Sequence, residues 1–182
     1  MDSLGVICAR SKSRRVPQKA LQIVGTTSLL DYAIASAKQS YRLTRWMVAS
    51  DLSGFNMPAE IADGPIIGAL QWAINESPPA DVVVTLQACI PFRRGYYIDQ
   101  TLDLIQRFGF ESVQTVVNVG WDHAPIYKPN GAVYATRVEL VRQGRLWGGV
   151  KHGMILMTPE ESVNIDTEYD LRVARALCAL SS

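Results

Sequence analysis

Leu4-Gly5-Val6-Ile7-Cys8-Ala9 runs without a break into Arg10-Ser11-Lys12-Ser13-Arg14-Arg15-Val16-Pro17-Gln18-Lys19. The first six residues read as a buried strand, because short apolar runs bounded by polar residues do so. The strand opens into a loop that gathers Arg10, Lys12, Arg14, Arg15 and Lys19 in one place. Open α/β sheets bind ligands just outside the carboxyl ends of their strands, and charge-assisted bonds to phosphate oxygens are strong. Three readings meet here: a polyphosphate site, a solvated basic turn and a nucleic-acid patch. The position directly after the first strand favours phosphate.

Outward from this stretch, strand and helix patterns alternate. Ser28-Leu29-Leu30-Asp31 reads as a capping box opening a helix with Leu29, Ala33, Ile34 and Ala37 on one face. Strands are expected over 45–50, 81–87, 112–119 and 154–157, and a short one over 131–136 after a Pro129-Asn130-Gly131 turn. Helices are expected over 64–75, stopped by Pro78-Pro79, over 96–108, and over 167–180, capped by Thr167 and Asp170. Such alternation implies βαβ units and a mostly parallel sheet.

The chain of 182 residues is expected to form one domain over 1–182, long enough to bury a core. A formal net charge of +1 argues against a nucleic-acid-coating protein. The basic loop carries no aromatic residue, whereas RNA readers pair basic with aromatic surface. No nucleic-acid partner is therefore expected. Cys8, Cys89 and Cys178 form no CxxC spacing and are odd in number, which fits reduced thiols in the cytoplasm. No stretch is apolar enough to span a bilayer, and the N-terminus lacks a signal-peptide h-region, so neither membrane nor export is expected.

Four stretches resemble the CMP-sialic acid and related CMP-sugar acid synthetases. Ala9 to Ala20 is similar to that family's Ala-Arg-Gly-Gly-Ser-Lys-Arg-Ile-Pro-Gly-Lys-Asn. Leu86-Gln87-Ala88-Cys89-Ile90-Pro91-Phe92-Arg93 resembles Leu-Gln-Pro-Thr-Ser-Pro-Leu-Arg. Pro129-Asn130-Gly131-Ala132-Val133-Tyr134 resembles Pro-Asn-Gly-Ala-Ile-Tyr, and Ser162-Val163-Asn164-Ile165-Asp166-Thr167-Glu168-Tyr169-Asp170 resembles Ser-Ile-Asp-Ile-Asp-Thr-Glu-x-Asp. The four occur in family order and cover nearly the whole chain.

The resemblance implies a three-layer, Rossmann-like α/β fold of the nucleotide-diphospho-sugar transferase type, with a mostly parallel mixed sheet. It implies transfer of CMP from CTP to a sialic-acid-like sugar acid, with release of pyrophosphate and with Mg²⁺ as cofactor. Arg10, Arg15 and Lys19 would take the phosphates, helped by Ser11, Lys12 and Ser13. Gln87 would lie in the nucleotide and sugar pocket, Asn130 and Tyr134 would line the sugar acid, and Asp166 would hold the metal beside Asn164. Arg10, Lys19 and Asp166 are the catalytic candidates. Plainer roles stand beside these. Gln87 suits a backbone bond at a strand end, Asn130-Gly131 is a common turn dipeptide, and Asp166 suits a helix N-terminus. Asp51 ends a strand near the expected pocket.

The departures from the family are as informative. Ser11-Lys12 replaces Gly-Gly, and Ala20 replaces Asn. Asn164 replaces the first carboxylate of the metal pair. These changes motivate the alternative of a nucleotide-binding homologue that has lost transfer. The short link from Gly120 to Lys128 replaces a long insertion that forms the family's dimer contacts, so a monomer or an atypical homodimer is expected.

Overall fold

The computed structural model describes residues 1–180. Its strands are β1 (Ser3–Ala9), β2 (Ile23–Val24), β3 (Thr27–Ser28), β4 (Arg45–Ser50), β5 (Val82–Gln87), β6 (Ser112–Asn118), β7 (Tyr127–Arg137) and β8 (His152–Met157). Its helices are α1 (Leu29–Gln39), α2 (Ala59–Ala62), α3 (Ile66–Asn75), α4 (Gly95–Phe108), α5 (Val138–Arg142) and α6 (Glu168–Leu180). β1 is the hub of a six-stranded sheet of order β4-β1-β5-β7-β6-β8, in which β7 alone runs antiparallel to its neighbours. The expected α/β fold with a mostly parallel mixed sheet is the one observed.

Both faces of the central strands are covered, which is why they read as unbroken apolar runs. Leu4 and Val6 of β1 and Val83 of β5 pack with Leu70 and Ala73 of α3. Ile7 and Ala9 of β1, with Val82, Val84 and Leu86 of β5, pack against Ala33 and Ala37 of α1 and Ile98, Leu102 and Ile105 of α4. The Ser28 hydroxyl caps α1 by accepting from Asp31 N at 3.1 Å. A third, smaller cluster joins Val16, Val24, Leu29, Ile165, Leu171 and Ala174. It docks the basic loop and the β2–β3 hairpin onto α6. At the far edge, β8 turns Ile155 inward and leaves Met154 and Leu156 more than half exposed.

One element departs from the sequence expectation. Pro129-Asn130-Gly131 is not a turn before a short strand but lies inside β7, an eleven-residue strand. Gln114 pairs with Tyr134 and Val116 with Pro129, so four residues of β7, 130–133, face the single Thr115 of β6. The result is a large bulge. Gly131 has φ +81° there, and a Cβ on it would lie 3.3 Å from Gln87 Nε2. The turn chemistry is present, but it bends a strand instead of ending one. The expected helix over 64–75 is α3, which starts at Ile66 and ends at Asn75 before Pro78-Pro79, and a separate short helix, α2, precedes it.

Candidate active site

A cavity of about 410 Å³ opens at the carboxyl ends of β1, β4 and β5. It is where an open α/β sheet is expected to take a ligand. Of the sequence candidates, Arg10, Ser13, Lys19, Gln87 and Asp166 line it, together with Ala20 and Cys89. Ser11, Lys12, Arg15, Asn130, Tyr134 and Asn164 lie off the lining.

The basic loop is held from outside. Asp51, at the end of β4, accepts from the Ser11 amide at 2.7 Å and from the Ser11 hydroxyl at 2.5 Å. Burial works against its charge, but these Ser11 bonds hold the Asp51 carboxyl below its ordinary range. Lys12 turns away from the cavity to pair with Asp63 at 2.7 Å. Gln18 takes a left-handed conformation, φ 47°, rare outside glycine. The short 3₁₀ turn Lys19–Leu21 follows it directly.

Lys19 is the junction of the site. Its Nζ donates to the Ile165 carbonyl at 2.8 Å and to Asp166 Oδ1 at 3.1 Å. Arg15 approaches the same Asp166 oxygen at 3.7 Å. The Ile165 amide in turn donates to the Cys89 carbonyl at 2.9 Å. The first, second and fourth motifs therefore meet at one wall. Partly exposed ion pairs like these are worth little, about 0–1 kcal/mol, so Lys19 and Arg15 can exchange a carboxylate for a phosphate at small cost.

Arg93 ties the second motif to the third, a role the sequence reading overlooked. It is 3 % exposed and donates through Nη1 to the carbonyls of Gln87 at 3.0 Å and Ala132 at 2.9 Å, and through Nε to Ser36 Oγ at 3.1 Å. Burial lowers its pKa to about 10, which leaves it charged at neutral pH. The signal in the sequence was an arginine directly after the apolar Ile90-Pro91-Phe92. Asn130 is likewise taken up internally. Its Oδ1 accepts from Thr115 Oγ1 at 2.7 Å and from the Ala132 amide at 3.0 Å, and its Nδ2 donates to Ser162 Oγ at 2.9 Å. It shapes the bulge instead of facing the cavity. Tyr134, opposite Thr85 on β5, has its phenol pushed up by burial.

Neither cavity thiol is a ready nucleophile. Burial, with a contribution from Cys89, pushes the Cys8 thiol up to about 12, and burial raises Cys89 as well. For a metal, the wall offers one carboxylate, Asp166. No group of three His, Cys, Asp or Glu side chains is placed to hold an ion among the described residues. Asn164 Oδ1 is buried without a hydrogen-bond partner. This set fits an ion that brings its other ligands with it, as Mg²⁺ does on a triphosphate. Asp170, by contrast, caps α6. Its Oδ2 accepts from the amides of Asp166 at 3.0 Å and Thr167 at 2.8 Å.

Comparison with known proteins agrees with this geometry. Residues 4–55 match a family model described as cytidylyltransferase. An N-acylneuraminate cytidylyltransferase A of Danio rerio is 24% identical over 93% of this chain, and an N-acylneuraminate cytidylyltransferase of Oncorhynchus mykiss is 23% identical over the same share. The chain spans about half the length of these relatives, 49% and 48%. A CMP:2-keto-3-deoxy-manno-octonic acid synthetase solved with CTP superposes with a TM-score of 0.82 at 16% identity, covering 100% of both chains. A cytidylyltransferase from Leptospira borgpetersenii gives 0.71 at 15% identity, over 97% of this chain and 86% of its own. No helix among the described residues is long and apolar enough to cross a membrane. The family model on the basic loop, the relatives matched along nearly the whole chain and the fold point one way: the chain is similar to cytidylyltransferases of the CMP-sialic acid synthetase kind.

Proposed function

We propose that the chain is a nucleotidyltransferase that moves CMP from CTP onto a hydroxyl of an eight- or nine-carbon sugar acid of the sialic-acid type. The observation that carries this reading is the convergence of four separated sequence motifs. Lys19 bonds Ile165 and Asp166, Ile165 bonds Cys89, Arg93 bonds Gln87 and Ala132, and Asn130 bonds Ser162. All surround or support the one cavity at the strand ends.

In this reading Arg10, Ser13 and Lys19 hold the triphosphate in the cavity, with Arg15 at its rim. The sugar hydroxyl oxygen bonds to the α-phosphorus, the bond from that phosphorus to the bridging oxygen of the β-phosphate breaks, and pyrophosphate departs. The hydroxyl proton is lost to water. The protein's share is positioning and charge neutralisation, which dominate phosphoryl-type transfers. Mg²⁺ would be held by Asp166 and the nucleotide's own oxygens, and when bound it supplies further positive charge to the phosphates. The buried Asn164 oxygen and the single carboxylate favour a second reading, a nucleotide-binding homologue without transfer. Pyrophosphate release from CTP, measured over a panel of sugar acids with and without Mg²⁺, tests both. Turnover with a sugar acid supports the enzyme. Nucleotide binding without turnover on any acid supports the second reading.

A further inference from the structure

The two edges of the sheet are built differently. At one edge β4 is guarded. Arg45 opens it and donates through Nη2 to the carbonyls of Pro78 at 2.6 Å and Pro79 at 2.5 Å. At its end the Ser50 carbonyl accepts from the Met57 amide at 3.1 Å. The other edge is β8, His152-Gly153-Met154-Ile155-Leu156-Met157, which pairs with β6 along its whole length and, among the described residues, with no strand on its outer side. Soluble proteins blunt such edges with charge, proline, a bulge or shortness. The six residues of β8 include no Asp, Glu, Lys, Arg or Pro, and their register with β6 is unbroken. The start of the strand is fixed from inside. The Glu111 amide donates to the Lys151 carbonyl at 2.8 Å, and Glu111 Oε2 accepts from the Lys151 amide at 3.1 Å and from the Val150 amide. Lys151 thus turns its main chain toward β6. Main-chain groups alternate sides along a strand, so those of His152, Met154 and Leu156 point outward. The Met154 and Leu156 side chains are 54% and 55% exposed.

The pattern of this edge also says what fits it. Antiparallel pairing with β8 of a second copy sets Met154 opposite Met154 of that copy, and His152 opposite its Leu156. No like charges meet. The flanks are complementary, because exposed Lys151 precedes the strand and exposed Glu160 follows it. Lys151 Nζ bonds the Phe108 carbonyl without being buried by it. An antiparallel arrangement brings the basic end of each copy toward the acidic end of the other, whereas a parallel one stacks like on like. Independently of the transfer reading, we infer that β8 is a self-recognition edge through which two copies of the chain join their sheets into one. The contact is two-fold and uses the free edge of both copies, so assembly closes at the dimer.

Light scattering over a range of concentrations, on the purified chain and on Met154→Lys, tests the inference. A monomer–dimer equilibrium is expected for the wild type. Met154→Lys sets two ammonium groups opposite one another at a position already exposed in the single copy. It is expected to raise the dimer dissociation constant at least about tenfold and to leave the circular dichroism spectrum unchanged. Met154→Cys gives a second measurement. Directly opposed residues of this kind lie about 5.5 Å apart at Cα, within reach of a disulfide. A mild thiol oxidant is therefore expected to give a covalent dimer of Met154→Cys and none of Tyr41→Cys, whose position is 79% exposed on the link into β4. Monomer mass at every concentration overturns the inference, as does a dimer that Met154→Lys leaves intact or a series of larger species. None of these results bears on the proposed transfer from CTP.

Discussion

Lys19 and Asp166 bond each other, yet their proposed tasks differ, and substitution separates them. Lys19→Ala removes a cation from the phosphates and leaves the Ile165 carbonyl without its partner. A loss of at least 10² in kcat/KM for nucleotidyl transfer is expected, comparable to losing one preorganised donor. Asp166→Asn keeps the shape but removes the carboxylate, so turnover is expected to fall while CTP affinity without Mg²⁺ is kept or rises. Pyrophosphate-release kinetics beside metal-free titration measures both. Asn164→Asp is expected to cost about 1–3 kcal/mol of stability, because it puts charge on an oxygen that is buried without a donor. Asn130→Ala, which removes bonds to Thr115, Ala132 and Ser162, is expected to lose about 2–3 kcal/mol in urea denaturation. An Asn130→Ala variant as stable as wild type but unable to bind the acceptor would return Asn130 to the sugar pocket.

The elements were largely legible, and the exceptions have physical causes. The central strands declared themselves because both faces are buried and every position is apolar. The Ser28 and Thr167 caps were visible as local patterns that need no tertiary knowledge. The reach of β7 was hidden, because Asn130-Gly131 signals positive φ equally well in a turn and in a bulge, and only the pairing with Thr115 decides. Half of the candidate site was legible as basic residues at a strand end. What was not legible is direction: Lys12 turns to Asp63 and Asn130 turns inward, choices made by partners 51 and 32 residues away. The α6 cap also carries a pH dependence. Burial works against the Asp170 charge, but bonds from Thr167 and Asp166 hold its carboxyl below the ordinary 3.8. A depressed carboxyl contributes stability in full above its unfolded value, and loses it as pH falls below about 4 through the lower folded value. Asp170→Ala is therefore expected to cost about 1 kcal/mol at pH 7 and less as the pH falls below about 4, as read by denaturation across that range.

Across the whole molecule, the cavity is bordered by segments far apart in the chain, from Cys8 to Asp166, so ligand binding is expected to stabilise the entire fold. CTP at 100 times its Kd should add about 2.7 kcal/mol to apparent stability, seen as a higher midpoint in thermal denaturation; no shift in saturating CTP would argue against the cavity as its site. Arg10→Ala should weaken that shift far more than Arg42→Ala, since Arg42 pairs with Asp103 away from the cavity. Equal losses would mean a diffuse electrostatic surface instead of a site. We propose that the short link over 120–128 leaves a monomer or a dimer joined through another face, and light scattering on the purified chain reports which. The contact between Lys19 and Asp166 also has a consequence in time. The two are 147 residues apart in sequence, and at roughly 5–20 residues per second of synthesis the second follows the first by about 7–30 s. During that interval Val16, Val24 and Leu29 have no Ile165, Leu171 or Ala174 to cover them. A nascent chain therefore holds its basic loop only through Asp51 and Asp63 until the α6 segment has been made, so the wall of the cavity that joins Lys19 to Asp166 forms well after the loop itself.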